Sequence, residues 1–193
     1  MCSSDLAGET HKLPELFMVL ATQDPIEQEG TYPLPEAQRD RLLLHIMVRY
    51  PSDPDGLKVM RLVRGEETQH TGDAAKTDVI PQHVVFEARA EIHRVAVAEA
   101  VERYIVAFVA ATRRPEQCGK DLQRWIHVGA SPRGTLALDK ASCAHAWLNG
   151  HDHVTPDNVR AVVHDGRRHR LILSDEANAD GLSADEVINE VVK

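Results

Sequence analysis

The side chains of this sequence that could do chemistry fall in a few short stretches, and spacing removes most of them. His151-Asp152-His153, with His164 and His169 further on, offers imidazoles that could ligate a metal. The intervals match no zinc arrangement, so solvated histidines are expected there. Cys143 and His145 have the look of a thiol and its base, but residues two apart in a helix point to different sides, and Cys143 is read as a core residue. Arg167-Arg168-His169-Arg170 is a basic run in an acidic chain and is read as a solvated face. Two arginines remain. Arg133, in Ser131-Pro132-Arg133-Gly134, falls in the first turn of a helix, where free N–H groups and the helix dipole favour an anion. Arg41 closes the stretch Glu36-Ala-Gln-Arg-Asp-Arg41. A guanidinium keeps its charge and presents a planar fork of donors, which suits phosphate oxygens. From residue types alone, a local carboxylate partner and an anionic ligand both stay open for each arginine.

The elements that must position these residues follow from pattern. The chain has 193 residues, 42% hydrophobic and 27% charged, with a formal net charge of −8. Such a composition is globular and too acidic for a dedicated DNA-backbone binder. No apolar run approaches the roughly 20 residues that cross a bilayer. Cys2, Cys118 and Cys143 form no CxxC pair, which favours a reducing, cytoplasmic setting. Leu16–Ala21 and Leu42–Val48 are continuous apolar runs, as in strands covered on both faces. Between them, residues 22–35 are rich in proline and glutamate and must be a loop, with a short helix at 36–41. Residues 57–64 predict a short helix and 65–78 an exposed connection. From Ile80 the texture is helical. Val97, Val101, Tyr104, Ile105, Phe108 and Val109 form one helical stripe. Ser131-Pro132 and Thr155-Pro156 are helix starts, the first helix running to about Leu148 and the second to about Val163. Ser183 with Glu186 is a capping box for a last helix ending near Val192.

The loop Ala21-Thr-Gln-Asp-Pro-Ile-Glu-Gln-Glu-Gly-Thr-Tyr-Pro-Leu-Pro-Glu-Ala-Gln38 with Asp40-Arg41 closely resembles the MoxR family of AAA+ ATPases. So do Val128-Gly-Ala-Ser-Pro-Arg-Gly134, His145-Ala-Trp-Leu-Asn-Gly150, Val154-Thr-Pro-Asp157 and His169-Arg-Leu-Ile-Leu173. The resemblance implies an α/β remnant of a P-loop NTPase core followed by an all-α lid, predominantly helical overall. Residues 1–6 match nothing in the family and form a leader, read as a possible translated adapter. Residues 7–52 would be the end of the core and 53–193 a connector and the helical lid. By resemblance, Asp24 stands at the sensor-1 position, Arg41 at the arginine finger and Arg133 at sensor 2. The family implies ATP and Mg²⁺ as cofactors, a self-associating ring, a hexamer, and a client protein, often one with a von Willebrand factor A domain. Neither nucleic acid nor a membrane is implied as a partner.

The sequence also departs from the family. No Gly-x-x-x-x-Gly-Lys-Ser/Thr stretch occurs, nor an apolar strand ending in paired acids. The chain by itself is therefore expected not to turn over ATP. A non-catalytic helical adaptor or scaffold, keeping only interaction surfaces, is the alternative. Asp24 replaces the family's asparagine, and an ionised carboxylate cannot donate a hydrogen bond to phosphate, so slow hydrolysis is expected. Arg39 stands where the family is apolar and is read as a surface charge. In the family's sheet the P-loop strand lies between the two apolar strands, so Leu16–Ala21 and Leu42–Val48 are expected to leave backbone and apolar faces uncovered. Hydrogen exchange should be fast across 16–48 and slow in the helical part; uniform protection across 16–48 would contradict this.

Overall fold

The starts of the main helices were set by single residues. In the computed structural model, which describes residues 3–6, 9–23, 34–68 and 79–192, Ser131 caps α6 (Pro132–Leu148) and its hydroxyl accepts the Arg133 amide. Thr155 caps α7 (Pro156–Arg167) in a reciprocal capping box with Asn158, so the orphan donors of that first turn are satisfied. Ser183 and Glu186 do the same for α9 (Ala184–Val192). The stripe anticipated on α4 (Glu99–Arg113) buries Val101, Ile105, Phe108 and Val109. Val101, Ile105 and Phe108 pack with Leu138 and Ala146 of α6, Val159 and Val163 of α7, and Ile188 of α9 in one apolar cluster. Burial of such aliphatic side chains is the main term holding the four helices together.

A second, smaller cluster of Leu122, Ile126 and Val187 was not foreseen. It is built by α5 (Lys120–Trp125) and an antiparallel pair of very short strands, β3 (Ile126–Val128) and β4 (Ile172–Leu173). Elements of two to six residues are too short to leave a periodic trace. Beyond β4, α8 (Asp175–Ala179) is capped by Ser174. Preceding α4, α3 (Gln82–Ile92) is tied to α6 by the Trp147 indole, which donates to Glu91 at 2.8 Å.

The turn into α6 is fixed from below. The Thr112 hydroxyl donates to the Val109 carbonyl at 2.8 Å and accepts the Ala130 amide at 3.1 Å, while Arg113 Nε donates to the Ala130 carbonyl at 2.6 Å. This brings Gly129 so near α4 that a Cβ there would stand 2.2 Å from the Thr112 carbonyl oxygen. The glycines of the Gly129–Gly134 stretch are thus a packing requirement.

The N-terminal segments depart from expectation. β1 (Ser3–Leu6) pairs antiparallel with β2 (Glu9–Lys12), within and just beyond the residues read as a leader. Residues 16–21 and 42–48 are not strands; neither belongs to a ladder among the described residues. An apolar run becomes a strand only when a neighbour takes up its N–H and C=O groups. Leu20 is 81% exposed and Val48 92%, in keeping with the uncovered apolar faces anticipated. Backbone groups of 42–45, expected to be uncovered too, are instead taken up by side chains of the loop after α7 and by backbone of α7 itself. The short helix α1 (Glu36–Arg39) forms where expected, and α2 (Asp53–Thr68) is longer at both ends than the stretch read from sequence.

Gly129→Ala is expected to destabilise the helical domain by about 3 kcal/mol, because the obstructing atom is backbone and cannot rotate away. Denaturant unfolding followed by circular dichroism measures it, and a loss under about 0.5 kcal/mol would contradict the packing role.

Candidate functional site

Three residues remote in sequence meet at the Asp40 carboxylate, just past α1. Ser131 Oγ lies 2.9 and 2.8 Å from its two oxygens and donates to them. Arg170 Nε donates to Oδ1 at 3.3 Å, and Arg133 Nη1 approaches Oδ2 at 3.4 Å. Ser131 therefore serves twice, accepting the Arg133 amide as helix cap and donating to Asp40. Asp40, the cap and the loop after α7 are joined through one acid.

The basic run read as a solvated face is instead largely buried. Arg167, His169 and Arg170 are 0%, 8% and 7% exposed. The segment 40–45, lacking a strand partner, presents its carbonyls to these side chains. Arg170 Nη2 donates to Leu42 O at 2.5 Å and Arg170 Nη1 to Leu43 O at 3.3 Å, with a further bond to Gly166 O. His169 Nε2 donates to Leu42 O at 3.1 Å. Arg168 reaches His45 O at 2.5 Å and is itself held by Asp185, at 2.9 and 3.1 Å, and by Asp165. The His45 amide donates to Asp165 O at 2.7 Å. Charged donors on carbonyls are stronger than neutral ones, so the missing strand ladder is replaced by a clamp of side chains.

Arg167 is the exception within this run. Its guanidinium sits 5.5 Å from the Phe108 ring centroid, a cation–π contact. It presses on α6 where Gly134 leaves room: a Cβ there would stand 2.1 Å from Arg167 Nη1. Its three nitrogens are buried without a hydrogen-bond partner among the described residues. Burial, with Arg170 and Arg113 close by, pulls its pKa down to about 9.

Asp40, Arg41, Arg133, Lys140 and Arg170 line a shallow cleft of about 150 Å³, floored by Leu43, Leu136 and Ala137. Among the described residues its lining thus has four cationic side chains and one carboxylate. Arg41 is exposed and makes no ion pair among the described residues, and the Arg133 side chain is 55% exposed. Neither is locked in a buried pair, and both border the same opening. Such a surface can hold phosphate oxygens. Arg39, anticipated as a surface charge, is half-buried, with Nε out of reach of solvent. Asp24, anticipated at the sensor-1 position, lies outside the described residues. Asp40, Ser131 and Arg170 carry the geometry; from sequence Ser131 was read only as a helix cap and Arg170 only as a surface charge, since Asp40 and Arg170 are 130 positions apart and no local pattern links them.

The other candidates resolve as local structure. His145 and His151 turn toward Asn158 Nδ2, at 3.1 and 3.5 Å, and His164 Nε2 toward Asn189 at 2.9 Å. Among the described residues no group of three or more His, Cys, Asp or Glu side chains converges as a metal needs. Cys143 packs against the main core, where burial pushes its thiol pKa up.

The chain is similar to a set of known proteins. The family described as "ATPase family associated with various cellular activities (AAA)" matches residues 3–44, and the AAA lid domain family matches residues 121–191. Chaperone MoxR1 of Mycobacterium tuberculosis is 39% identical over 97% of this chain and 48% of its own length. Protein MoxR of Methylorubrum extorquens is 32% identical over 84% of this chain and 49% of its own. A crystal structure of a putative ATPase from Cytophaga hutchinsonii superposes with a TM-score of 0.88 at 36% identity, over 98% of this chain and 57% of that one. The chain spans about half the length of the curated relatives it matches.

His169 gives the clamp a pH dependence. Its Nε2 holds the proton shared with Leu42 O, its Nδ1 is buried without a partner among the described residues, and Arg170, His45 and Asp40 face it. Burial foremost, then Arg170, lowers its pKa from 6.5 to about 4. The unfolded chain then binds more protons than the folded one between these values, so stability is full above pH 6.5 and declines as pH falls toward 4. Burial and Arg168 move His45 the same way. The drop in melting temperature between pH 7 and pH 5 is expected to shrink in His169→Gln; an equal drop in both proteins would exclude His169 as its source.

Proposed function

The chain belongs to the MoxR family of AAA+ ATPases, and from that premise we propose that it takes part in binding and hydrolysing ATP, with Mg²⁺, within a cytoplasmic ring that remodels or activates a client protein. The observation that carries this reading is the cleft shared by Arg41 and Arg133, lined among the described residues by four cationic side chains and one carboxylate. Phosphoryl transfer is helped chiefly by position and by charge set against the phosphate oxygens, which is what two partly free guanidinium groups on separate elements supply. Arg133 stands on the first turn of α6, where helix N–H groups strengthen the field. Arg41 is exposed two residues beyond α1; in this reading it is the arginine finger and reaches a neighbouring copy. Arg133 is the sensor-2 arginine, reporting nucleotide to the lid of its own chain. Asp24 is the sensor-1 residue.

Self-association follows from Arg41: a guanidinium offered outward works only when another subunit's nucleotide is beside it. A hexameric ring is the assembly proposed, and a von Willebrand factor A domain protein is the kind of client proposed. The segments expected to cradle most of the nucleotide are not among these residues, so the 193-residue chain alone is proposed to be inactive.

In the full-length protein that carries this sequence, Arg41→Ala and Arg133→Ala are each expected to lower kcat for ATP about 10²–10³-fold. Arg41→Ala should leave nucleotide affinity near its starting value, because its target lies on another subunit. Asp24→Asn should raise turnover, since an amide can donate where a carboxylate repels. Steady-state phosphate release and fluorescent-nucleotide binding check all three. Nucleotide binding with no turnover in the unmodified protein would favour the scaffold alternative, and unchanged kcat in both arginine variants would remove the site assignment.

A further inference from the structure

The cleft already contains an anion. Asp40 is held by a serine hydroxyl at 2.8 Å and by Arg170 at 3.3 Å, while its contact with Arg133 is longer, at 3.4 Å, and more open to solvent. Behind the first turn of α6, the buried Arg167 guanidinium, without a hydrogen-bond partner among the described residues, presses against Gly134. A helix N-terminus backed by a buried cation that no carboxylate touches among the described residues is short of negative charge, and among those residues Asp40 is the carboxylate lining the cleft that it borders.

We propose that Asp40 is the resident counter-anion of this cleft: a phosphate group entering it takes Arg133 from Asp40, and the loss of that contact loosens the residue directly preceding Arg41. The inference rests on the phosphate-facing reading of the cleft and adds a regulatory link within it. Ser131 and Arg170 keep Asp40 on the lid, so the exchange is confined to the weakest of its three partners. Arg133 senses phosphate in its own chain, and Asp40 passes the change one residue along the backbone to the guanidinium offered to a neighbour. Engagement of one site thereby alters the arginine presented to the next, with no further moving part. Asp40 is on this account a positioning residue, acting through Arg133 and Arg41.

The test uses the 193-residue chain and inorganic pyrophosphate, titrated by calorimetry into the unmodified protein, Asp40→Asn, Arg133→Ala and the double variant. Asparagine keeps the size and one acceptor oxygen for Ser131 while removing the competing charge. Asp40→Asn is expected to bind pyrophosphate about tenfold more tightly, and that gain should fall below about twofold when Arg133 is absent, as a coupled pair requires. A merely structural role for Asp40 would weaken binding or leave it unchanged. Equal gains with and without Arg133 would also overturn the exchange. Should Asp40→Asn fail to fold, nuclear magnetic resonance of the unmodified chain decides: the Arg133 Nε–H and Asp40 amide signals should move together on titration, and movement of Arg133 with Asp40 fixed overturns the proposal. Pyrophosphate bound without the Asp40 effect sinks only this inference. No pyrophosphate binding by any variant removes the phosphate-facing reading as well.

Discussion

The docking of segment 40–45 onto the loop after α7 is the constraint on which the rest depends. This segment has carbonyls and no strand to receive them, and the loop has arginines with little solvent. Each would be costly alone: an unsatisfied buried carbonyl or an unpaired buried guanidinium is worth several kcal/mol of penalty. Together they cancel most of that cost. The geometry that results places Asp40 against Ser131, and so sets the distance between the stretch bearing Arg41 and the helix bearing Arg133.

The helical domain supplies the rigidity behind this contact. Its core is made of small aliphatic residues on α4, α6, α7 and α9 with Phe108 the sole large aromatic among the buried side chains described. Phe108 has a second role, since its ring faces Arg167. A cation at the end of α7 is thereby carried into the interior beside α6, where the bare Gly134 admits it. The apolar core and the basic cleft are therefore one construction: the residue that finishes the first supports the charge of the second.

The relation between pattern and structure differs from element to element. Ser131-Pro132 and Thr155-Pro156 gave helix starts to the residue, because a cap is a bond between neighbours in sequence. The α4 stripe was legible for the same reason of short range. Leu16–Ala21 and Leu42–Val48 were read as strands and are not, because a ladder needs a partner that no property of the run itself provides. The family resemblance, carried by long motifs, identified Arg41 and Arg133, and the cleft brings both to its rim. It gave no task to Asp40, which directly precedes Arg41 in the same motif.

The sequence by itself determined the helix caps, the apolar faces, the acidic overall charge and the kinship with AAA+ ATPases, each a matter of residues close in the chain or of motif. Only the tertiary structure decided that Arg167–Arg170 turns inward and that Asp40 gathers Ser131, Arg133 and Arg170. A charged run reads as solvated when nothing nearby in sequence can neutralise it. For His169 and Arg170 the main partners are backbone carbonyls and a carboxylate more than 120 residues away, and folding alone brings those within a hydrogen bond; Arg168 has Asp165 beside it in sequence and Asp185 a little further on.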